Sequence, residues 1–303
     1  MKPPAYRGRF APTPSGPLHL GSLVAALGSY LDARVNDGAW LVRIEDVDPP
    51  RVVPGSADAI LHALERFGFE WQDPVLYQSQ RADAYAEALA HLNMAGRVYS
   101  CACTRKYLTD HARRGVDGPV YPGTCRHQPP GLPGQAQRFR VPDTRVAFQD
   151  ACLGHVACDL ARECGDFVLR RADGVTPYQL AVVVDDAEQG ISHVVRGADL
   201  LPSTPRQIAL QTALGLPTPH YTHLPVVLDD QGDKLSKQTL ARAIDPAHPA
   251  SALRQAARFL ALDQASVAGD LAEFWSAAIQ DWTHRPRQPI RGRRPKNPGD
   301  SDS

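Results

Sequence analysis

The chain has 303 residues, 43% of them apolar and 22% charged, and its 33 basic and 33 acidic side chains give a formal net charge of zero. That length suffices for a buried core in one or two domains, and the neutral balance excludes nucleic-acid binding by overall charge, leaving only local patches. No apolar run approaches the ~20 residues that cross a bilayer, and Met1-Lys2-Pro3-Pro4-Ala5-Tyr6 has no apolar signal core, so a cytoplasmic protein without a membrane partner is expected, its six Cys residues being thiols or metal ligands rather than disulfides.

Residues 8–11 read as a short strand, after which Pro12, Pro14, Gly16 and Pro17 forbid regular structure. From Leu18 the spacing predicts a helix with Leu20, Leu23, Val24, Leu27 and Leu31 on one face. A strand, a Pro/Gly turn and a helix N-terminus make an anion site, because free N–H groups and the helix dipole both favour negative charge. His19, in the predicted first turn, can donate to a phosphate oxygen, and Gly21 leaves room for a flat base or ribose. An ordinary βα turn with an incidental His has the same local pattern. Residues 40–44 form a second strand, so the first two strands should be parallel. Glu45 follows at the strand end where open α/β sheets place ligands, although a solvated acidic loop would look the same. Helices over 56–67 and 81–95, stopped by Gly68 and Gly96, read as scaffold.

Cys101 and Cys103 can clamp one metal from a tight turn, and Cys125 about 20 residues on supplies a third thiolate of a tetrahedral zinc site. Tyr121 and His127 both stand where a fourth ligand is needed. Cys152, Cys158 and Cys164 lack paired-ligand spacing and read as buried or incidental surface thiols. Residues 138–141 read as a strand. The segments 166–171, 177–186 and 193–201 form the densest apolar block; Val-rich runs suit buried strands, while 180–186 fits a helix equally well. Tyr178 and Arg196 can together bind a carboxylate, which Arg grips bidentately. A core Tyr and a surface Arg are the bland alternative. A helix over 205–214, capped by Ser203 or Thr204, precedes a last strand at 221–228. Lys234 and Lys237 then lie three apart in a Gly-containing loop that suits a phosphate clamp, as it would suit a solvated basic turn. Two helices, 249–260 and 269–282, lead into a Pro-rich basic stretch, 285–303, expected to be disordered and able to graze RNA phosphates.

Read as a whole, several of these strings resemble one family. His19-Leu20-Gly21-Ser22 resembles the His-Ile-Gly-His signature of class I aminoacyl-tRNA synthetases, with the Ser22 hydroxyl in place of the second His. Lys234-Leu235-Ser236-Lys237-Gln238 resembles their Lys-Met-Ser-Lys-Ser loop, with Gln238 for the last Ser. Arg9-Phe10-Ala11-Pro12-Thr13-Pro14-Ser15-Gly16 and Arg43-Ile44-Glu45-Asp46-Val47-Asp48 are similar to the glutamyl branch. The resemblance spans roughly residues 7–240. It implies an α/β fold: a Rossmann-like catalytic domain with a parallel sheet (1–96 and 196–240), an inserted α/β subdomain with a zinc loop (97–195), a short helical C-terminal part (241–284) and the basic tail (285–303).

The resemblance also implies site residues and substrates. His19 and Lys237 would be catalytic; Arg9, Ala11, Thr13, Glu45, Tyr178 and Arg196 would hold L-glutamate, Glu45 taking its ammonium and Arg9 its side-chain carboxylate. His19, Gly21, Ser22, Lys234, Ser236 and Lys237 would hold ATP, which brings Mg²⁺. Shorter members of the branch space their zinc ligands as Cys101, Cys103, Tyr121 and Cys125 are spaced here, which selects Tyr121 over His127. Only 66 residues follow Lys237 (303 minus 237), too few for an anticodon-binding region of on the order of 150 residues. The best resemblance is therefore to the truncated branch, a ligase that activates glutamate without tRNA and transfers it to queuosine at the wobble position of tRNA(Asp), acting as a monomer. A minimal enzyme charging a tRNA 3′ end, a non-catalytic glutamate- or RNA-binding regulator and a nucleotidyltransferase of the same superfamily are the rival readings.

Overall fold

The protein's structure, a computed structural model, describes residues 6–115, 118–227 and 243–285. β1 (Arg7–Phe10) stops where Pro12 and Pro14 remove backbone donors, and α1 (Leu20–Val35) begins two residues later than Leu18, after Pro17 and an extended His19. β2 (Ala39–Ile44) pairs with β1 in parallel, Arg9 opposite Leu41. α2 (Ser56–Arg66) leads to β3 (Leu76–Tyr77), parallel to β2, and to α3 (Ala82–Met94).

The middle of the chain is built differently. β4 (Val98–Cys101), the short α4 (Arg105–His111) and the hairpin of β5 (Arg113–Gly115) and β6 (Gly118–Val120) carry the cysteine loops. β7 (Ala136–Phe139) pairs antiparallel with β4; a hairpin of β8 (Arg145–Asp150) and β9 (Gly154–Asp159) follows, and β10 (Phe167–Arg170) returns to β7. The Val-rich run then resolves as helix α5 (Tyr178–Glu188), with Leu180, Ala181, Val182 and Val183 buried. β-Branched residues lower helix propensity only slightly, so burial of this face decides.

β11 (His193–Gly197), shorter than the 193–201 segment, α6 (Thr204–Leu214) and β12 (His220–Leu224) complete the parallel layer: β11 pairs with β12, Arg196 opposite His223, and β12 pairs with β8. Ser192 N–H donates to Arg7 O at 3.0 Å, setting β11 beside β1. α7 (Pro249–Phe259) and α8 (Leu271–His284) pack on α1 around an apolar core that includes Leu23, Leu27, Leu253 and Phe274. Gly28 lets α1 approach β12 closely: a Cβ there would stand 2.5 Å from Leu224 Cδ1, so a larger residue needs that side chain to shift. Among the described residues no helix is long and apolar enough to cross a membrane.

Candidate active site and cysteine cluster

The C-terminal ends of β1, β2, β11 and β12 and the N-terminus of α1 open onto one cleft of about 620 Å³. Its walls include Arg9, Ala11, Thr13, Glu45, Tyr178 and Arg196 together with His19, Gly21 and Ser22. Nine residues singled out from scattered motifs therefore share one cavity. Lys234, Ser236 and Lys237 lie outside the described residues. The flanking chain is placed: Val227 lines the cleft, Ala243 bridges to His19, and Ile244 N–H donates to Leu18 O at 3.0 Å.

His19 is the N-cap of α1, one position before the first turn where the spacing put it. Its Nδ1 accepts from Ser22 N–H at 3.2 Å, and its Nε2 lies 3.1 Å from Ser22 Oγ. An accepting Nδ1 leaves the proton of a neutral ring on Nε2, so the ring presents a donor beside the Ser22 hydroxyl.

Arg9 is 4% exposed and donates through Nε and Nη2 to the two oxygens of Asp186, at 3.1 and 3.3 Å. Asp186 also accepts from Arg43 Nη2 at 2.7 Å, and Arg43, fully buried, stands 3.5 Å from Glu45. Burial alone would raise the Asp186 carboxyl, but Arg9 and Arg43 outweigh it and hold it below the usual range. At Glu45 burial wins: it pushes the carboxyl up despite Arg43 and Arg9. A site that keeps Glu45 hungry for a cation suits an ammonium ligand.

Arg196, equally deep, is held differently. Its Nε donates to His223 Nε2 (3.2 Å), its Nη2 to Thr204 Oγ1 and Gln207 Oε1 (2.8 Å each), and its Nη1 to the Tyr178 hydroxyl (3.2 Å). Among the described residues no carboxylate is hydrogen-bonded to or ion-paired with it. Burial raises the Tyr178 hydroxyl, so it stays protonated as a donor. Sequence reasoning does not single out Asp186, Arg43, His223 or Gln207; charge inside the apolar runs 40–44 and 180–186 signals only Arg43 and Asp186.

Away from the cleft, the sulfurs of Cys101, Cys103 and Cys125 lie within 4.8 Å of one another. The Tyr121 hydroxyl is 3.3 Å from Cys101 Sγ and 3.4 Å from Cys103 Sγ, and it accepts from Cys125 N–H at 2.8 Å. Sulfurs on a tetrahedral zinc stand about 3.8 Å apart at Zn–S bonds of about 2.3 Å; Cys103 and Cys125 are 3.6 Å apart. These residues fit such an ion. His127 is exposed and stands outside the cluster. Cys158 and Cys164 are buried 3.6 Å apart, and Cys152 is half-buried.

The family model for tRNA synthetases class I (E and Q), catalytic domain, matches residues 5–258. Similar relatives named glutamyl-Q tRNA(Asp) synthetase come from Chromobacterium violaceum, 55% identical over 92% of this chain and 94% of theirs, and from Dechloromonas aromatica, 56% identical over 94% and 97%. A glutamate tRNA ligase from Elizabethkingia meningosepticum, solved in complex with its amino acid, superposes with a TM-score of 0.65 at 30% identity, over 77% of this chain and 52% of that one. The chain thus spans about half the length of that ligase, and nearly all of the relatives just named. From the motif-bearing cleft and these matches together, the chain belongs to the class I tRNA synthetase family of the E and Q type.

Proposed function

We propose that the cleft activates L-glutamate with ATP in the absence of tRNA, and that the enzyme then transfers glutamate to the queuosine base at the wobble position of tRNA(Asp). The observation that carries the first half is the single cavity shared by Arg9, Glu45, Tyr178 and Arg196 on one side and His19, Gly21 and Ser22 on the other. The second half is supported by the names of relatives that match this chain along nearly their whole length.

Glu45 takes the α-ammonium. Arg9, Arg196 and Tyr178 take the side-chain carboxylate, because a cation clamped on the α-carboxylate would quench the nucleophile. Ala11 and Thr13 shape the wall beside the amino acid. An α-carboxylate oxygen attacks the ATP α-phosphorus, the bond to the bridging oxygen breaks, and pyrophosphate leaves. No general base is needed; positioning and stabilisation of charge on the phosphate oxygens carry the step. His19 Nε2–H, Ser22, Lys234, Ser236 and Lys237 supply donors, with Gly21 against the nucleoside and Mg²⁺ arriving on the nucleotide. A queuosine hydroxyl then attacks the glutamyl carbonyl and AMP departs. Cys101, Cys103, Tyr121 and Cys125 hold one structural zinc that braces the inserted subdomain. The enzyme works as a cytoplasmic monomer.

Transfer of labelled glutamate to tRNA(Asp) with and without queuosine tests the proposal. Label confined to the queuosine-containing tRNA is expected. Equal labelling of queuosine-free tRNA would overturn it in favour of a 3′-end charging enzyme.

A further inference from the structure

Behind Arg196 lies a buried pair that the reaction above does not use. His223 and Asp150 are both essentially inaccessible, with Asp150 at the end of β8 and His223 on β12. Asp150 Oδ2 and His223 Nδ1 are 2.7 Å apart, and Asp150 accepts the backbone N–H groups of Cys152, Leu153 and His223. On the far side of the ring, Arg196 Nε is 3.2 Å from His223 Nε2.

The order of donors follows from valence. A guanidinium N–H can only donate, so His223 Nε2 must accept. The ring proton then sits on Nδ1, where a carboxylate with its other contacts all N–H donors is waiting for it. The opposite tautomer would aim an N–H at the Arg196 cation. Burial, with Arg196 adding to it, lowers the His223 ring below its usual range against the pull of Asp150, in keeping with a neutral ring. The charged and titratable groups facing the ring are Asp150, Arg196 and, at longer range, Asp199, with the Tyr221 ring stacked 6.0 Å away. Thr204 Oγ1, 3.1 Å from Nε2, belongs to the same cluster.

We infer that Asp150 and His223 are positioning residues that act through Arg196: Asp150 fixes the His223 tautomer, and the Nε2 lone pair, by accepting from Nε–H, holds the guanidinium so that the remaining Nη1–H, beside the Tyr178 hydroxyl, serves the substrate carboxylate. The neutral ring orients the guanidinium without cancelling its charge, which a carboxylate in the same place would do. This inference rests on the reading that Arg196 receives a glutamate carboxylate.

Glutamate-dependent ATP–pyrophosphate exchange on the full chain tests it with two variants. His223→Leu removes the acceptor and is expected to raise the KM for glutamate about tenfold or more, the loss expected for a hydrogen bond to a charged group, with the KM for ATP unchanged. His223→Gln, whose carbonyl can take the Nε2 position, is expected to recover most of that loss. A glutamate KM unchanged in folded His223→Leu, or a His223→Gln no better than His223→Leu, overturns the inference. Should His223→Leu fail to fold, the imidazole ¹⁵N shifts of His223 in the wild-type enzyme decide: a neutral ring protonated on Nδ1 is expected, and a proton on Nε2 overturns the tautomer assignment. The ¹⁵N reading needs no substrate, so a wild-type enzyme that activates no glutamate would count against the proposed function alone.

Discussion

Arg9 and Arg196 face the same cleft at the same depth, each 4% exposed, yet their surroundings are opposites. Arg9 shares Asp186 with Arg43, and Glu45 stands beside Arg43, so two guanidiniums meet two carboxylates. Arg196 meets an imidazole, a hydroxyl, an amide and a phenol. The first cluster is balanced before substrate arrives. The second carries a positive charge that no described carboxylate contacts, Asp150 standing behind the His223 ring. A buried charge costs least when paired, so the Arg196 cluster gains most from an incoming carboxylate, whereas Arg9 reaches that carboxylate from a cluster already paired, which also gives the site its rigidity and its ammonium acceptor.

The largest effect should come from removing the unanswered charge. Arg196→Gln is expected to lower kcat/KM for glutamate in pyrophosphate exchange by about 10³-fold, the scale for truncating one partner of a buried charge pair. Arg9→Gln should cost less, since Asp186 keeps Arg43; a larger loss from Arg9→Gln would reverse the comparison. Next in size, Asp186→Asn strands two buried guanidiniums and should lower stability by about 3–5 kcal/mol, read by denaturant unfolding. Gln207→Leu removes only a neutral acceptor and should cost about 1–3 kcal/mol. Equal losses would show that the two clusters are held alike.

The balanced cluster also has a pH signature. Burial raises the Glu45 carboxyl above the ordinary 4.5, and only the ionised form takes an ammonium. Binding is therefore full above that raised value and is lost as pH falls through it, earlier than for an exposed carboxylate. The Glu45 carboxyl ¹³C shift should titrate above 4.5 in the free enzyme and move down when glutamate binds; a midpoint at or below 4.5 without glutamate contradicts the desolvation reading. Smallest in activity should be Cys125→Ser. Its cluster does not line the cleft, so bound zinc and thermal stability should fall together while pyrophosphate exchange changes only a few-fold. Loss of exchange in step with zinc would tie the metal to the chemistry.

Much of the site was legible because its chemistry is local. Pro12 to Gly16 ends a strand, Leu20 onward keeps one apolar helical face, and Glu45 follows an apolar strand, so short strings suffice. Spacing alone leaves Tyr121 and His127 open as the fourth ligand, and only the resemblance selects Tyr121, whose hydroxyl stands 3.3 Å from Cys101 Sγ and 3.4 Å from Cys103 Sγ. The 180–186 run was not decidable, since Val suits a buried strand and a buried helix face alike until the packing partner is known. His19 was misplaced by one turn position because an imidazole cap on its own helix leaves no trace in apolar spacing. The partners of the two arginines were invisible for a different reason. Asp186 lies 177 positions from Arg9, and Asp150 lies 73 from His223; the first pair is made by α5 packing on β1 and the second by β8 lying beside β12, and no short window along the chain contains both members.

Most direct is a comparison of glutamate with glutamine in ATP–pyrophosphate exchange without tRNA. The two ligands have the same shape at the side-chain end and differ there by one charge. If the unanswered charge of Arg196 is the selecting feature, exchange with glutamate should exceed that with glutamine by about 10³-fold or more in kcat/KM. Comparable exchange with both amino acids would contradict it.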